Sequence, residues 1–526
     1  MNVPAKIDRR RQWLLAILLI FIASLALVSP PYHWRDDGWF RDGGYVLNTA
    51  DQLLHGKQLF SEVFYQYGPA AIELYVLWSK MFGNTISSYQ AMILLIALVN
   101  CVLLFKVLEA AGLSIATTIV AFLALIPYLV GVDLAFHYPF EKTLILTVML
   151  LWKPLEQRSF QRSLALGMIV GLMQWVRFGA AVGVLAGVFI LDLILEKAVT
   201  RSLIASMLWC LAGFFVVEGA LAARLFLTLP KDVALDVLWP QFMAGSYDVY
   251  FADGTRFPKL TTLNYFIGFQ LSIVTCAVLA TGAVVLVVRN RISKTRSVLL
   301  IPFLAFVVFC LIYYKQAWHY YVGSWLLVLP AAAMIDRLSV SRKAIAAVFL
   351  LPALFLALKA DLLRSPSSGQ QATILPDGEK LWLPQEVINR NQTLVNRLAE
   401  LPDGPSRSGV VFLSRTPILV ASHLYFFYRI PQPGRHSMIF PGWLRLRDFQ
   451  FLTVELDRSK AVVLFQEPDQ GPPPKDACQW ESHPFPRPYC EELSARLEEV
   501  IRIDGTCWIF PLTDRLTARS GVRHSP

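Results

Sequence analysis

The sequence predicts an α-helical polytopic membrane protein with a small C-terminal α/β domain on the outer side of the membrane. Three observations predict this. Hydrophobic residues make up 55% of the 526-residue chain and charged residues only 16%, where a soluble globular chain carries roughly a quarter charged residues. Apolar runs recur through residues 1–360, separated by short basic turns. Beyond residue 360 the composition turns to Pro, Ser, Asp and Arg.

The elements follow in order. Lys6, Arg9, Arg10 and Arg11 precede an apolar run from Trp13 to Val28. With no convincing small-residue cleavage site and a multi-span chain behind it, this run reads as a retained signal anchor. A span across ~30 Å of hydrocarbon needs ~20 residues, and about eleven runs approach that length. They lie near 12–29, 87–108, 113–132, 139–153, 162–179, 180–196, 202–227, 264–288, 298–314, 320–336 and 343–360. Basic residues mark alternate turns: Arg9–Arg11, Lys106, Lys153 with Arg158 and Arg162, Lys197 with Arg201, Arg289 to Arg296, and Arg337 with Arg342 and Lys343. The positive-inside bias then puts the N-terminus in the cytoplasm of an inner-membrane protein and 361–526 on the periplasmic face. The net charge of +10 follows from these turns. No basic patch interleaved with aromatics points to nucleic acid.

Two outer regions are long. In 30–86, Tyr45 to Leu54 and Ala70 to Phe82 read as helices lying at the membrane surface. In the C-terminal domain, Val410–Leu413, Ile418–Tyr425 and Ala461–Phe465 read as strands, and Gln385–Ala399 and Cys490–Ile501 as helices. Gln470 to Lys475 is a rigid loop. Of the seven cysteines, Cys101, Cys210, Cys276 and Cys310 lie in apolar runs as small core residues. Among Cys478, Cys490 and Cys507, an oxidising compartment would pair two and leave one thiol.

The segment Trp34 to Gly83 concentrates carboxylates directly after the first span: Asp36, Asp37, Asp42, Asp51 and Glu62. A helix starting near Gly43 would carry Asp42 as its N-cap. Asp42 is followed by Tyr45, Ala50, Leu53–Leu54, Gly56, Phe60, Glu62, Tyr67–Gly68–Pro69 and Phe82–Gly83. In this order the segment resembles the GT-C glycosyltransferases, specifically the bacterial branch related to protein O-mannosyltransferases and lipid A aminoarabinose transferases. The resemblance is best over 1–200 and extends weakly to about 360 through the span pattern and His319–Tyr320–Tyr321. It departs at position 43, where the family often has a second acid and this chain has Gly.

The resemblance implies transfer of a sugar, with inversion, from a polyprenyl-phosphate donor to a glycan, glycolipid or protein acceptor. Such a reaction needs a carboxylate base for the acceptor hydroxyl and cations, or a divalent metal such as Mg or Mn, for the leaving phosphate. Asp42 is the first candidate for the base; Asp36 and Asp37 are alternatives for the acidic pair or plain loop acids. In the next outer turn, Asp133, His137 and Glu141 correspond to a region where related enzymes bind acceptor or metal, although Lys142 next to Glu141 also suits simple neutralisation. Outer cations are Arg177, Arg224, Arg256, Lys315 and His319. Arg177, Lys315 and His319 suit donor phosphate, and equally a snorkelling residue and a basic aromatic belt. Glu218 lies inside a span, either paired with Arg224 or marking a lipid groove. Trp239, Phe242, Tyr247, Tyr250 and Phe251 suit sugar stacking or a loop resting on headgroups. A transporter or flippase, and a non-catalytic scaffold, are the competing classes. The charges sit mainly at the outer face, and no repeat or pair of broken helices favours a transporter.

Overall fold

The computed structural model describes residues 18, 43–65, 67–130, 137–176, 178–238, 278–312, 325–337, 370–374, 378, 380–402, 407–414, 422–437, 448–466, 471–480 and 487–513. These fall into two compact units. One contains Gln90–Arg224 and the described residues between Arg256 and Ser365. The other contains the described residues between His33 and Tyr89, between Leu225 and Thr255, and between Pro366 and Pro526.

The helices of the first half are α1 (Gly44–Leu54), α2 (Pro69–Phe82), α3 (Ile86–Ala110), α4 (Ile115–Val130), α5 (His137–Leu151), α6 (Phe160–Gln174), α7 (Phe178–Glu196), α8 (Arg201–Thr228) and α9 (Lys231–Leu238). Then come α10 (Val278–Val288), α11 (Ile301–Ile312) and α12 (Trp325–Ile335). Among the described residues α3 and α8 are each long and apolar enough to cross a membrane. At 1.5 Å per residue each exceeds ~30 Å. Along α8 the side chains of Ile204, Leu208, Phe215, Val216, Phe226 and Leu227 are exposed. Holding each in water would cost about 1.5–3 kcal/mol relative to burial, so this face suits hydrocarbon.

Inside the first unit, backbones approach closely. A Cβ on Gly167 would lie 1.8 Å from the Cys210 carbonyl oxygen, and one on Gly213 would lie 2.1 Å from that of Leu164. Gly171 sits one turn further on, against Phe214 and Val217. Small residues four apart let α6 and α8 pack by dispersion, the force left to helices when lipid removes the hydrophobic drive. Gly187 of α7 meets the backbone of α11 at Ala305 in the same way.

The basic turns expected on the cytoplasmic side are tied to one another. Arg158 is a bidentate partner of Asp192, at 2.6 and 2.7 Å, with both side chains almost fully buried. Trp152 Nε1 and Ser206 Oγ complete the contacts at 3.0 and 3.1 Å, and Arg158 Nε and Nη2 donate to the Lys153 carbonyl. Every donor direction is used, the condition under which a buried ion pair offsets its desolvation. Lys294 bonds Glu156 and lies 3.7 Å from Glu196. Arg296 pairs with Asp336 at 2.8 Å and donates to the Gly112 carbonyl, while Ser114 and Thr117 donate to Asp336.

The second unit holds α13 (Gln385–Glu400), α14 (Ser422–Phe427), α15 (Asp448–Asp457) and α16 (Arg487–Ser494). Strands β1 (Gln370–Ile374) and β2 (Lys380–Pro384) form an antiparallel pair. Strands β3 (Gly409–Ser414), β4 (Ser459–Phe465), β5 (Ile501–Arg502) and β6 (Cys507–Pro511) form a sheet in the order β3-β4-β6-β5. β3 and β4 are parallel; β6 runs antiparallel to β4 and β5. Alternate residues sort to two cores, as a period of two requires. Val411, Leu413, Val462, Leu464, Trp508 and Phe510 face Leu452, Leu456, Trp480 and Leu493. Val410, Phe412, Ala461, Val463 and Ile509 face Leu394, Leu398 and Leu424. Cys478 and Cys490 form a disulfide, and Cys507 is a buried free thiol.

Several expectations are corrected. The part of 418–425 that is described belongs to helix α14, not a strand. The run is largely aliphatic, but helical geometry puts Leu424 and Tyr425 into one core and lets Tyr425 Oη donate to the Val410 carbonyl at 2.7 Å. The helix expected over Cys490–Ile501 ends at Ser494. There the chain turns so that buried Arg496 pairs with Asp457, Leu497 bridges to Leu512, and β5 forms. Asp42, expected as the N-cap of α1, lies outside the described residues; Gly43 before the helix is itself in helical conformation and offers no side-chain cap. The described residues between His33 and Tyr89 pack in the same unit as the C-terminal residues.

Two measurements check these packing arguments. Arg158→Leu leaves Asp192 buried and unpaired and should destabilise by about 3–5 kcal/mol; adding Asp192→Leu should recover most of the loss in thermal unfolding of the detergent-purified chain. Cys478→Ser should cost about 2–4 kcal/mol in the C-terminal domain by removing the cross-link, whereas Cys507→Ser should leave the disulfide, read by thiol labelling under denaturing conditions, intact.

Candidate active site

Most of the side chains singled out for chemistry lie outside the described residues: Asp36, Asp37, Asp42, Asp133, Arg177, Lys315 and His319. His137 opens α5, but its side chain is not among those described. Glu141 is on the second turn of α5 and half-buried. That end of α5 is anchored from α3. Buried Asn100 donates to the Pro139 carbonyl at 2.9 Å and accepts from Thr143 Oγ1 at 2.7 Å. Lys142 beside Glu141 is almost fully buried. Among the described residues no three His, Cys, Asp or Glu side chains gather as a metal site.

The scaffold of the acidic outer loop is well defined. α1 begins two residues after Asp42, and its first turn lies against α14. A Cβ on Gly44 would sit 2.4 Å from that of His423. Further along α1, Asn48 and Gln52 donate to Gln432 Oε1 at 2.8 and 2.6 Å, and Lys57 donates to Gln52 at 2.9 Å. Asp51 is flanked by Arg429 at 3.5 Å and His55 at 3.7 Å. Burial lowers the pKa of the Lys57 ammonium, while Glu62, Glu455 and Asp51 pull it the other way.

The loop then enters the C-terminal domain. Phe64 belongs to the same core as Val411, Leu452 and Trp508. Its N–H donates to the Arg435 carbonyl at 2.9 Å, and its own carbonyl accepts from Tyr45 Oη at 3.2 Å. Its ring packs 5.2 Å from that of His436 and under the Arg435 guanidinium. Buried Glu455 holds this stretch by accepting from the backbone N–H groups of Arg435 and His436 and by contacting His436 Nδ1 at 2.9 Å. Within the loop, Asn84 bridges α1 and α2. It donates to the Leu47 carbonyl and accepts from Tyr75 Oη. Trp78 Nε1 reaches Ser88 at the start of α3.

Sequence reasoning missed His423, Gln432, Arg429 and Lys57 as neighbours of the loop. The first three lie in a stretch taken in part for a strand. Only the adjacent glycines at 43 and 44, which permit close helix contact, carried a signal.

By sequence, no protein-family model and no curated protein matches this chain. By structure, it is similar to ArnT from Cupriavidus metallidurans bound to undecaprenyl phosphate, with a TM-score of 0.51 and 13% identity over 96% of this chain and 98% of that one. The same protein in the apo state gives a TM-score of 0.48 at 11% identity, with the same coverage. The mycobacterial arabinofuranosyltransferase AftD gives 0.46 at 13% identity, over 88% of this chain and 37% of that one. The first likeness runs nearly end to end and gives the chain a GT-C-type membrane fold, as the resemblance in the acidic loop implied.

The docking of the loop is testable. Phe64→Ala removes a buried aromatic and should cost about 3–5 kcal/mol. Hydrogen exchange of the intact protein should then speed up both in β3 and in α1, because the two share this contact. Unchanged protection in α1 would separate the loop from the domain.

Proposed function

We propose that this chain is a membrane glycosyltransferase that takes a sugar from a polyprenyl-phosphate donor to an acceptor at the outer face of the membrane. The observation that carries the reading is the end-to-end fold likeness to a structure bound to undecaprenyl phosphate, joined to the ordered acidic loop after the first span. The arrangement proposed has about eleven spans, a cytoplasmic N-terminus and a periplasmic C-terminal domain.

The chemistry follows from the residue types. Asp42 accepts the proton of the acceptor hydroxyl as its oxygen attacks the anomeric carbon. Attack comes from the side opposite the phosphate, so the configuration inverts. The bond from the anomeric carbon to the phosphate oxygen breaks, and polyprenyl phosphate leaves with the electron pair. Arg177, Lys315 and His319 offset the growing negative charge. Glu141, on the end of α5 fixed by Asn100, orients the acceptor together with Asp133 and His137. Asp36 and Asp37 are the alternative acidic pair and the place where a divalent cation would bind.

The role of the docked loop is orientation. Reacting groups must be held within a few tenths of an ångström to gain from proximity. The contacts of α1 with Gln432 and His423 supply that fixity two residues from the base.

Asp42→Asn should lower transfer by about a hundred- to ten-thousand-fold with normal membrane insertion. Mass spectrometry of envelope glycolipids and glycans would show the missing unit, with undecorated acceptor and sugar-bearing lipid accumulating. Unchanged product would remove Asp42 as the base. Arg177→Ala should weaken retention of undecaprenyl phosphate by the purified protein, and the loss should grow with ionic strength.

A further inference from the structure

At the end of α6, three buried polar atoms lack hydrogen-bond partners among the described residues: Gln174 Oε1, Trp175 Nε1 and Glu218 Oε1. Trp175 is 5% exposed. Its indole N–H faces the Glu218 carboxylate without closing a bond to Oε1. The three come from two helices whose register is fixed. Gly171 of α6 abuts Phe214 and Val217 of α8, so the next turn of α6 brings Gln174 and Trp175 level with Glu218. α6 stops there, whereas α8 runs on for about 15 Å to Thr228. The three groups therefore lie at one level of the α6–α8 contact within the first unit, with Trp175 two residues before Arg177 in sequence.

Buried polar atoms in native proteins are nearly always satisfied, and an unsatisfied cluster calls for an explanation. Two of the three atoms are acceptors and one is a donor. The C-terminus of α6 adds the negative end of a helix dipole. This composition disfavours an anion and suits a group rich in O–H donors with one acceptor oxygen, which is the pattern of vicinal sugar hydroxyls.

We propose that Gln174, Trp175 and Glu218 form a sugar-recognition subsite that hydrogen-bonds the hydroxyls of the lipid-borne donor sugar while its phosphate is held elsewhere. This rests on the reading of the chain as a lipid-linked sugar transferase and adds to it the residues that read the sugar. A bare polyprenyl phosphate leaves the three atoms unsatisfied; the sugar-bearing lipid satisfies them. The subsite thus favours substrate over the spent carrier, which must leave.

The test uses the full chain in detergent, incubated with total polyprenyl-phosphate lipids extracted from bacterial membranes, bare and sugar-bearing together. Native mass spectrometry reads which are retained. The wild type should retain sugar-bearing lipid in preference to bare lipid. Trp175→Phe, which keeps the ring and removes the N–H, and Glu218→Gln, which keeps the shape, should each reduce that preference about tenfold, the worth of one good hydrogen bond. Retention of bare lipid should stay within about twofold in both, which also reports that the variants fold. Three results would overturn the subsite: no preference in the wild type, an unchanged preference in both variants, or an unchanged preference with a raised KM for acceptor, which would give these residues to the acceptor's sugar. If no polyprenyl phosphate of either kind is retained, the transferase reading itself falls.

Discussion

The insertion of Phe64 into the core of the C-terminal sheet is the contact on which the outer region depends. A segment only tens of residues from the N-terminus completes a hydrophobic core built almost wholly from residues beyond 410. An aromatic side chain of this kind is large enough to decide whether such a core closes. The polar contacts around it are consistent with that primacy. Glu455 organises the backbone that receives Phe64, and Gln432 collects Asn48 and Gln52 from the adjoining helix. Without the ring, these hydrogen bonds would have to hold two segments together while competing with water, where each contributes only about 0.5–1.5 kcal/mol net.

The membrane unit solves a different problem. Its helices have no hydrophobic incentive to associate in lipid, so they meet where side chains are absent and backbones can touch, at Gly167, Gly171, Gly187 and Gly213. Charge is confined largely to the ends. At one end the Arg158–Asp192, Lys294–Glu156 and Arg296–Asp336 pairs link turns that are far apart in sequence. The same arginines and lysines whose placement in the sequence reads as a positive-inside bias thus also tie the turns together. Glu218 departs from this economy of charge: its Oε1, with Gln174 Oε1 and Trp175 Nε1 beside it, closes no hydrogen bond among the described residues.

The sequence made much of this legible, for identifiable reasons. Apolar runs of span length register strongly, so α3, α4, α5 and α8 were expected close to their observed bounds. Short continuous apolar runs at Val410–Leu413 and Ala461–Phe465 placed β3 and β4. The order of acids, Gly-Pro and Phe-Gly after the first span implied the fold type. What failed did so where tertiary contact overrode local preference. The apolar run Ile418–Tyr425 reads as a strand, yet its described part is helical because that geometry fills a core. The helix starting at Arg487 stops at Ser494 although its residues would continue it, because Leu497 is required for bridging to Leu512. At the start of α1 the bare Gly44 admits the close approach of His423. The union of the loop with the C-terminal domain left no local trace. Contacts such as that between Gln52 and Gln432, 380 residues apart, have no periodicity to betray them.

That separation has a consequence for biogenesis. At about 5–20 residues per second, the ribosome completes Gln432 about 20–75 s after Gln52. Throughout that interval Gln52 has its tertiary partner unmade, and Phe64 has no core to enter. The order of synthesis therefore leaves α1 and Phe64 last to settle: they reach their final contacts only after the C-terminal sheet has formed. A chain stopped before that point would carry the whole of this segment and still lack the core that receives Phe64.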